Sequence, residues 1–123
     1  MKKTGPAVLL FALSVVGCVN GPTAVKYESL VDVTLSPRNE NSVELFQTQK
    51  PSRPYQEIGV LTYRAGTAET VVEVGRFFRA KAAELGADGV IMMGTAGGAS
   101  VRINANVSAQ LTDYQAMAIR FTN

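Results

Sequence analysis

The chain has 123 residues, with 12 basic and 10 acidic side chains, no histidine and a single cysteine. This length fits one domain, and the small positive charge provides no excess of basic groups that would hold nucleic acid. Without histidine, Ser-His and Cys-His triads and zinc sites built from His and Cys are excluded, so no catalytic, cofactor-binding or metal-binding residue is predicted.

The N-terminal segment has the pattern of a secretory signal peptide. Two lysines follow the first methionine, and residues 6–16, PAVLLFALSVV, form an uncharged, mainly apolar stretch. This stretch is too short to span a bilayer, which needs about 20 apolar residues, but it fits a signal-peptide core. Ordinary signal-peptidase cleavage before Cys18 fits poorly, because the bulky Val15 occupies the −3 position.

Residues 15–18, VVGC, resemble a bacterial lipobox, with an aliphatic residue three positions before the cysteine and a small one directly before it. The resemblance implies cleavage between Gly17 and Cys18, a diacylglycerol on the Cys18 thiol and acylation of the new amino group. Several chains make a durable anchor, because each buried methylene contributes about 0.8 kcal/mol and one chain binds only marginally. The alternative is an ordinary signal with a leftover cysteine.

The residues after the cysteine indicate a location. Val19 and Asn20 follow Cys18, whereas an aspartate at the first of these positions tends to retain lipoproteins in the inner membrane. The resemblance therefore implies a lipid-anchored protein at the periplasmic face of the outer membrane, with the membrane as a partner through the anchor.

The expected organisation has three parts. Residues 1–17 are the cleaved signal, residues 18–27 the lipidated cysteine with a short tether, and residues 28–123 a single domain. Removal of the two N-terminal lysines leaves ten basic and ten acidic residues. The mature protein then has no formal net charge, which again argues against nucleic acid as a partner.

Three strands are predicted before the helix. Residues 29–37, SLVDVTLSP, alternate between apolar and polar and are expected to form a half-buried strand. Residues 43–47, VELFQ, are expected to form a second short strand, and residues 57–63, EIGVLTY, a third.

One amphipathic helix is predicted at about 68–85. Thr67 is the expected N-cap and Gly86 the expected C-terminal stop. Glu69 and Glu73 share a helix face, and we interpret them as solvated surface rather than as a catalytic pair. The apolar stripe has helical spacing and comprises Val71, Val74, Phe78, Ala82 and Leu85.

The C-terminal third is predicted to be β structure. Residues 90–93 suit a central strand, and the glycine-rich residues 94–100 suit a hairpin turn. Residues 101–111 alternate between apolar and polar side chains. This alternation predicts a buried apolar face and a solvent-exposed polar face, the wet face. A turn at 112–114 would lead into the last strand and pair residue 107 with residue 119. The wet face is the candidate contact surface and comprises Arg102, Asn104, Asn106, Ser108 and Gln110.

These elements predict an α+β domain of about six strands, mostly antiparallel, with the helix packed on one face. Residues 57–94 are expected to form a strand–helix–strand crossover. The helix end and following strand, AAELGADGVIM at 82–92, resemble small α+β domains in the Rcs stress-sensor lipoprotein and in the "heavy-metal-binding" family. The resemblance implies the fold and no functional residue, because this chain lacks the cysteines of those proteins.

The expected function is a membrane-anchored, non-catalytic interaction or envelope-sensing module with an envelope protein as its partner. The first alternative is a lipoprotein that binds a small ligand or cell-wall fragment near the glycine-rich segment and Tyr114. The second is an enzyme that uses carboxylates or a Ser-Lys pair. No cofactor is expected.

Overall fold

The computed structural model describes residues 21–123, so Gly17 and Cys18 lie outside the described residues. The described chain is an α+β domain, as expected, with a mixed sheet of five strands instead of six and one helix against it. The elements in chain order are a 3₁₀ turn at Gly21–Ala24, β1 at Lys26–Ser29, a 3₁₀ turn at Glu40–Ser42, β2 at Glu44–Phe46, β3 at Tyr55–Ala65, α1 at Val71–Glu84, β4 at Gly89–Asn104 and β5 at Val107–Phe121.

The C-terminal strand occupies the centre of the sheet. The strand order is β1-β3-β5-β4-β2, and β5 pairs antiparallel with both β3 and β4. β3 and β4 therefore run parallel to each other with β5 between them, so the predicted crossover through α1 skips one strand. β2 pairs parallel with β4, and β1 closes the other edge antiparallel to β3.

The core lies between α1 and one face of the sheet. Val74, Phe78 and Ala82 are fully buried, as their helical spacing predicts. They belong to the same apolar cluster as sheet residues from the three strands beneath them. Those sheet residues are Leu61, Tyr63, Ala65, Val90, Ala116 and Ala118.

The helix begins three residues later than the predicted N-cap. Thr70, not Thr67, caps α1: its Oγ1 accepts a hydrogen bond from the Glu73 N–H at 3.2 Å, and Glu73 Oε1 accepts one from the Thr70 N–H at 3.0 Å. This reciprocal capping box needs an acidic residue three positions after the cap, which only Thr70 has. The predicted stop is confirmed, since Gly86 has a φ of +79° just past the helix.

The strand predicted at residues 29–37 is wrong. Only Lys26–Ser29 pair with β3, and Leu30 makes a last backbone hydrogen bond to Ile58 before the chain leaves the sheet. The alternation instead serves packing, because Val31 and Leu35 pack against the core while the segment crosses the end of α1. The Arg38 N–H then donates to the Ala83 carbonyl at 2.9 Å.

The described fold begins inside the segment that the sequence assigned to a tether. The turn at Gly21–Ala24 packs on α1, and Val25 is only 6 % exposed and belongs to the core. The Gly21 N–H donates to Tyr63 Oη at 3.3 Å. Only residues 19 and 20 are therefore left between Cys18 and the described fold.

Both turns predicted in the C-terminal third are wrong. β4 continues through the glycine-rich segment, where Gly94 and Gly97 have positive φ and coincide with register shifts against β5. These glycines form bulges rather than a turn. The turn lies at residues 105–106, where Asn104 Oδ1 accepts from the Asn106 N–H at 2.8 Å. Residues 112–114 lie within β5, and Ile119 pairs with Gly89, not with residue 107.

Candidate interaction surface

Two strands leave the sheet together and form an arm. β3 stops pairing with β5 at Ala65 and Thr112, and β2 pairs with β4 only as far as Ile91. Residues 99–111, which we call the arm, therefore pair only with each other in the described structure. Both outer edges of the arm present unpaired backbone groups, which can pair with another chain.

The predicted contact surface lies on this arm. Arg102 pairs with Ser108, and Gln110 with Ser100, so these side chains share one face. The remaining two residues lie at the turn: Asn106 is within it, and Asn104 precedes it and pairs with Val107 rather than with a polar residue. The Asn106 N–H donates to Asn104 Oδ1. Gln110 Nε2 also donates to Ser100 Oγ at 3.2 Å. Some of the polar groups are thus satisfied within the arm, and Arg102 is its only charged residue.

The opposite face of the arm is apolar and exposed. Val101, Ile103 and Val107 are 46 %, 62 % and 47 % exposed, although the sequence predicts that they are buried. The prediction of a two-faced strand is confirmed for residues 107–111. The expected burial is wrong, because α1 packs on the opposite side of the sheet, over Ala116 and Ala118, and the described residues form no layer over this side of the arm. Contiguous exposed apolar residues of this kind are typical of interaction sites.

Three more exposed apolar residues lie near the base of the arm. Val71 and Val72 begin α1, and Met93 lies in β4, six residues before the arm. Val71, Met93 and Tyr114 line a surface hollow of about 360 Å³, together with Gln47 and Thr48. This hollow lies where the sequence suggested a ligand site, beside Gly94 and Tyr114.

The carboxylates of the helix start have partners within the fold. Tyr63 Oη donates to Glu69 Oε2, and Glu69 Oε1 accepts from the Gly66 N–H at 3.0 Å. Burial raises the pKa of the Tyr63 phenol, and the hydrogen bond to Glu69 raises it further. Glu73 serves the capping box. The prediction that both residues are merely solvated is therefore wrong, because both hold the turn between β3 and α1.

An ion pair lies beside the base of the arm. Arg64 donates two hydrogen bonds to the Asp113 carboxylate, at 2.7 and 2.9 Å, across the β3–β5 pair. The hydrogen bonds from Arg64 hold the pKa of Asp113 below its usual range, and the same contact raises the pKa of Arg64. This pair joins the two strands next to the point where β3 ends.

Two classes of feature do not occur among residues 21–123. No group of three or more His, Cys, Asp or Glu side chains there could hold a metal ion. No helix in the same range is long and apolar enough to cross a membrane.

No family model matches the sequence, and no curated protein matches it. Among solved structures, the chain is similar to the crystal structure of the Francisella virulence factor FvfA in its orthorhombic form. The two are 18 % identical, with a TM-score of 0.46 over 74 % of this chain and 94 % of the other. Similarity at this level gives no information about function.

Proposed function

We propose that this chain is a lipoprotein, anchored through Cys18 at the periplasmic face of the outer membrane, and that it acts as a non-catalytic interaction or envelope-sensing module. The observation that carries the proposal is the N-terminal pattern: two lysines, a short apolar stretch and the sequence VVGC at 15–18. Gly21, the first described residue, follows Cys18 by three positions, so the folded domain would sit directly at the membrane surface.

The shape of the arm supports the interaction role. It offers a partner one polar face, one apolar face and two open strand edges. Backbone groups at an open edge provide affinity through strand addition, and alternating side chains provide specificity. The helix and the sheet body supply a rigid base for this surface.

The anchor is tested by labelling cells with radioactive palmitate. The wild-type chain should be labelled, and its mass should match cleavage before Cys18 plus the lipid. Cys18→Ala should be unlabelled and remain a full-length precursor. Val15→Leu is the matched control, because leucine is usual at this position of a lipobox, and it should be labelled normally. Labelling that persists in Cys18→Ala would contradict the anchor.

The interaction role is tested by photo-crosslinking in cells from polar residues of the arm and its turn. Crosslinkers at Asn104, Asn106 and Ser108 should each yield the same discrete hetero-complex, which mass spectrometry then identifies. Lys50, an exposed residue of the loop between β2 and β3, is the control position and should give no such product. Crosslinks only between copies of the chain would contradict a separate protein partner.

The hollow beside the arm favours a second candidate function, the binding of a small ligand or cell-wall fragment. Its lining combines apolar Val71 and Met93 with polar Gln47 and Thr48, as small-molecule sites do. Soluble peptidoglycan fragments should then shift the amide NMR signals of these residues. An unchanged spectrum at millimolar fragment would count against this function.

A further inference from the structure

We propose that a hollow on the open side of the sheet, the side away from α1, binds a small oxyanion, either a carboxylate or a phosphate group. The hollow has a volume of about 320 Å³, and its lining comprises Ala24, Lys26, Thr62, Arg64 and Asp113. Neither the proposed anchor nor the polar residues of the arm take part in it, so this site goes beyond the proposed function.

The register of three strands brings five polar side chains together on this side. Lys26 of β1 pairs with Thr62 of β3, and Thr62 pairs with Gln115 of β5. Arg64 and Asp113 form a pair two residues farther along the same strands. The residues that alternate with Thr62 and Arg64 in β3 belong to the core beneath α1. The five polar side chains therefore share the opposite side of the sheet, which α1 does not cover.

Most of the hydrogen-bond donors around the hollow are unused. The side chains of Lys26, Thr62 and Gln115 form no hydrogen bond or ion pair with any other residue of the range 21–123. Arg64 donates to Asp113 through Nε and Nη2, which leaves Nη1 without a partner in the same range. Both carboxylate oxygens of Asp113 already accept from Arg64. The hollow thus offers an ammonium, a guanidinium nitrogen, a hydroxyl and an amide to a ligand that brings acceptors.

The charges of the hollow favour an anion. Lys26 and Arg64 are positive and Asp113 is negative, so the lining has an excess of positive charge. The pKa of Asp113 is lowered first by its hydrogen bonds from Arg64, and the charge of Lys26 lowers it further. The ammonium is therefore close enough to act on the ion pair, although it makes no ion pair of its own. Asp113 holds the guanidinium in place, and the Lys26 charge is left for a ligand.

Arginine and lysine together suit the oxygens of a carboxylate or a phosphate. Hydrogen bonds from charged donors to such oxygens are about twice as strong as neutral ones. The site is open, however, since the side chains of Arg64 and Asp113 are 54 % and 22 % exposed. Solvent screens the charges, so a lone oxyanion is expected to bind with a Kd of about 1 mM. A larger ligand would gain affinity from the contacts of its remaining atoms.

An NMR titration tests this inference. The full chain is expressed in cells and purified in a non-ionic detergent, and inorganic phosphate or N-acetylalanine then replaces chloride at pH 7 and constant ionic strength. The amide signals of Lys26, Thr62, Arg64 and Gln115 should shift and saturate with a Kd of about 1 mM. Saturation with phosphate alone would assign a phosphate-bearing ligand to the hollow, and saturation with N-acetylalanine alone would assign a carboxylate. Saturation with neither probe would overturn the site.

Two lysine variants separate a site from general charge effects. Lys26→Gln removes the ammonium and should raise the Kd about tenfold, which corresponds to the loss of one charge-assisted hydrogen bond. Lys50→Gln makes the same change in net charge in the loop between β2 and β3, and it should leave the Kd unchanged. Both lysines are exposed, so both variants should fold. Thr62→Val, which keeps the side-chain shape but removes the hydroxyl, should weaken binding severalfold. Shifts that are linear in probe concentration, or equal in Lys26→Gln and the wild type, would show screening alone and overturn the site.

Discussion

The two strands of the arm, β4 and β5, continue into the sheet body, yet most of their buried apolar side chains lie in the body. In the body, Ala116 and Ala118 of β5 are fully buried under α1. In the arm, Val101 and Ile103 are 46 % and 62 % exposed, although they alternate with polar residues. Alternation therefore predicts a two-faced strand, but it does not tell what covers the apolar face.

Element lengths and the side of the sheet on which α1 packs explain the difference. The 14 residues of α1 make a helix of about 21 Å. The 15 residues of β5 extend about 50 Å. A single helix can cover less than half of such a strand, so the remainder extends beyond the core. The apolar side of the arm also faces away from α1, since Val107 and Ala109 have the opposite alternation to Ala116 and Ala118. Its burial would have needed a layer on the other side of the sheet, and the part of the chain that the structure describes supplies none there.

The largest expected contrast concerns stability. Phe78→Ala removes a fully buried ring from the centre of the core, and it should lower the free energy of unfolding by about 3–5 kcal/mol. Val107→Ala, in the arm, should change it by less than about 0.5 kcal/mol, because the side chain is already half exposed. Urea unfolding followed by circular dichroism measures both. A loss at Val107 that approaches the loss at Phe78 would mean that the arm is packed in solution.

The same contrast shows what the sequence could predict. The helix stripe around Phe78 was predictable because helical spacing and burial coincide when one face packs on a sheet. The strand at 57–63 was predictable because it is bounded by polar and proline-rich residues. The α+β class followed from these elements, and the sheet order did not, since β5 inserts between its sequence neighbour β4 and the distant strand β3.

The candidate surface was predicted only in part. The sequence identified Arg102, Ser108 and Gln110 as a shared polar face, and the register brings them together. It placed the turns wrongly, because a glycine at a bulge cannot be told from a glycine at a turn by the neighbouring sequence alone. The Asn104–Asn106 pair was the missed cue, since asparagine side chains favour tight turns.

Glycine positions give the second contrast, because Gly86 in the body and Gly94 near the arm both have positive φ. A Cβ on Gly86 would lie 2.4 Å from the Ser36 carbonyl oxygen, whereas a Cβ on Gly94 would meet nothing within 4 Å. Gly86→Ala should therefore cost about 3 kcal/mol, from backbone strain and crowding together. Gly94→Ala should cost about 1 kcal/mol from strain alone. Equal losses in chemical denaturation would show that the segment at 35–36 moves away at little cost.

A smaller effect is expected at the start of α1. Thr70→Ala removes the acceptor of the capping box and should cost about 1 kcal/mol. Thr67→Ala changes the residue that the sequence favoured as the cap, and it should leave the thermal midpoint unchanged. Thr70→Ser should retain most of the stability, because its hydroxyl can accept the same hydrogen bond. If Thr67→Ala were the more damaging change, the helix would begin earlier in solution than the structure indicates.

The smallest effect is expected where body and arm meet, at the Arg64–Asp113 pair. The pKa of Asp113 is lowered in the folded state, so its ionised form adds stability above the unfolded pKa of about 3.9, and that stability is lost as pH falls through the folded pKa. Asp113→Asn should thus be slightly less stable than the wild type at pH 7 and equally stable near pH 2. The difference at pH 7 should shrink in 1 M salt, because both side chains are partly exposed. A difference that persisted at pH 2 would come from side-chain packing rather than from charge. In that case the ion pair would not be what fixes the last β3–β5 pairing, and the edge of the body would be set by apolar contacts alone.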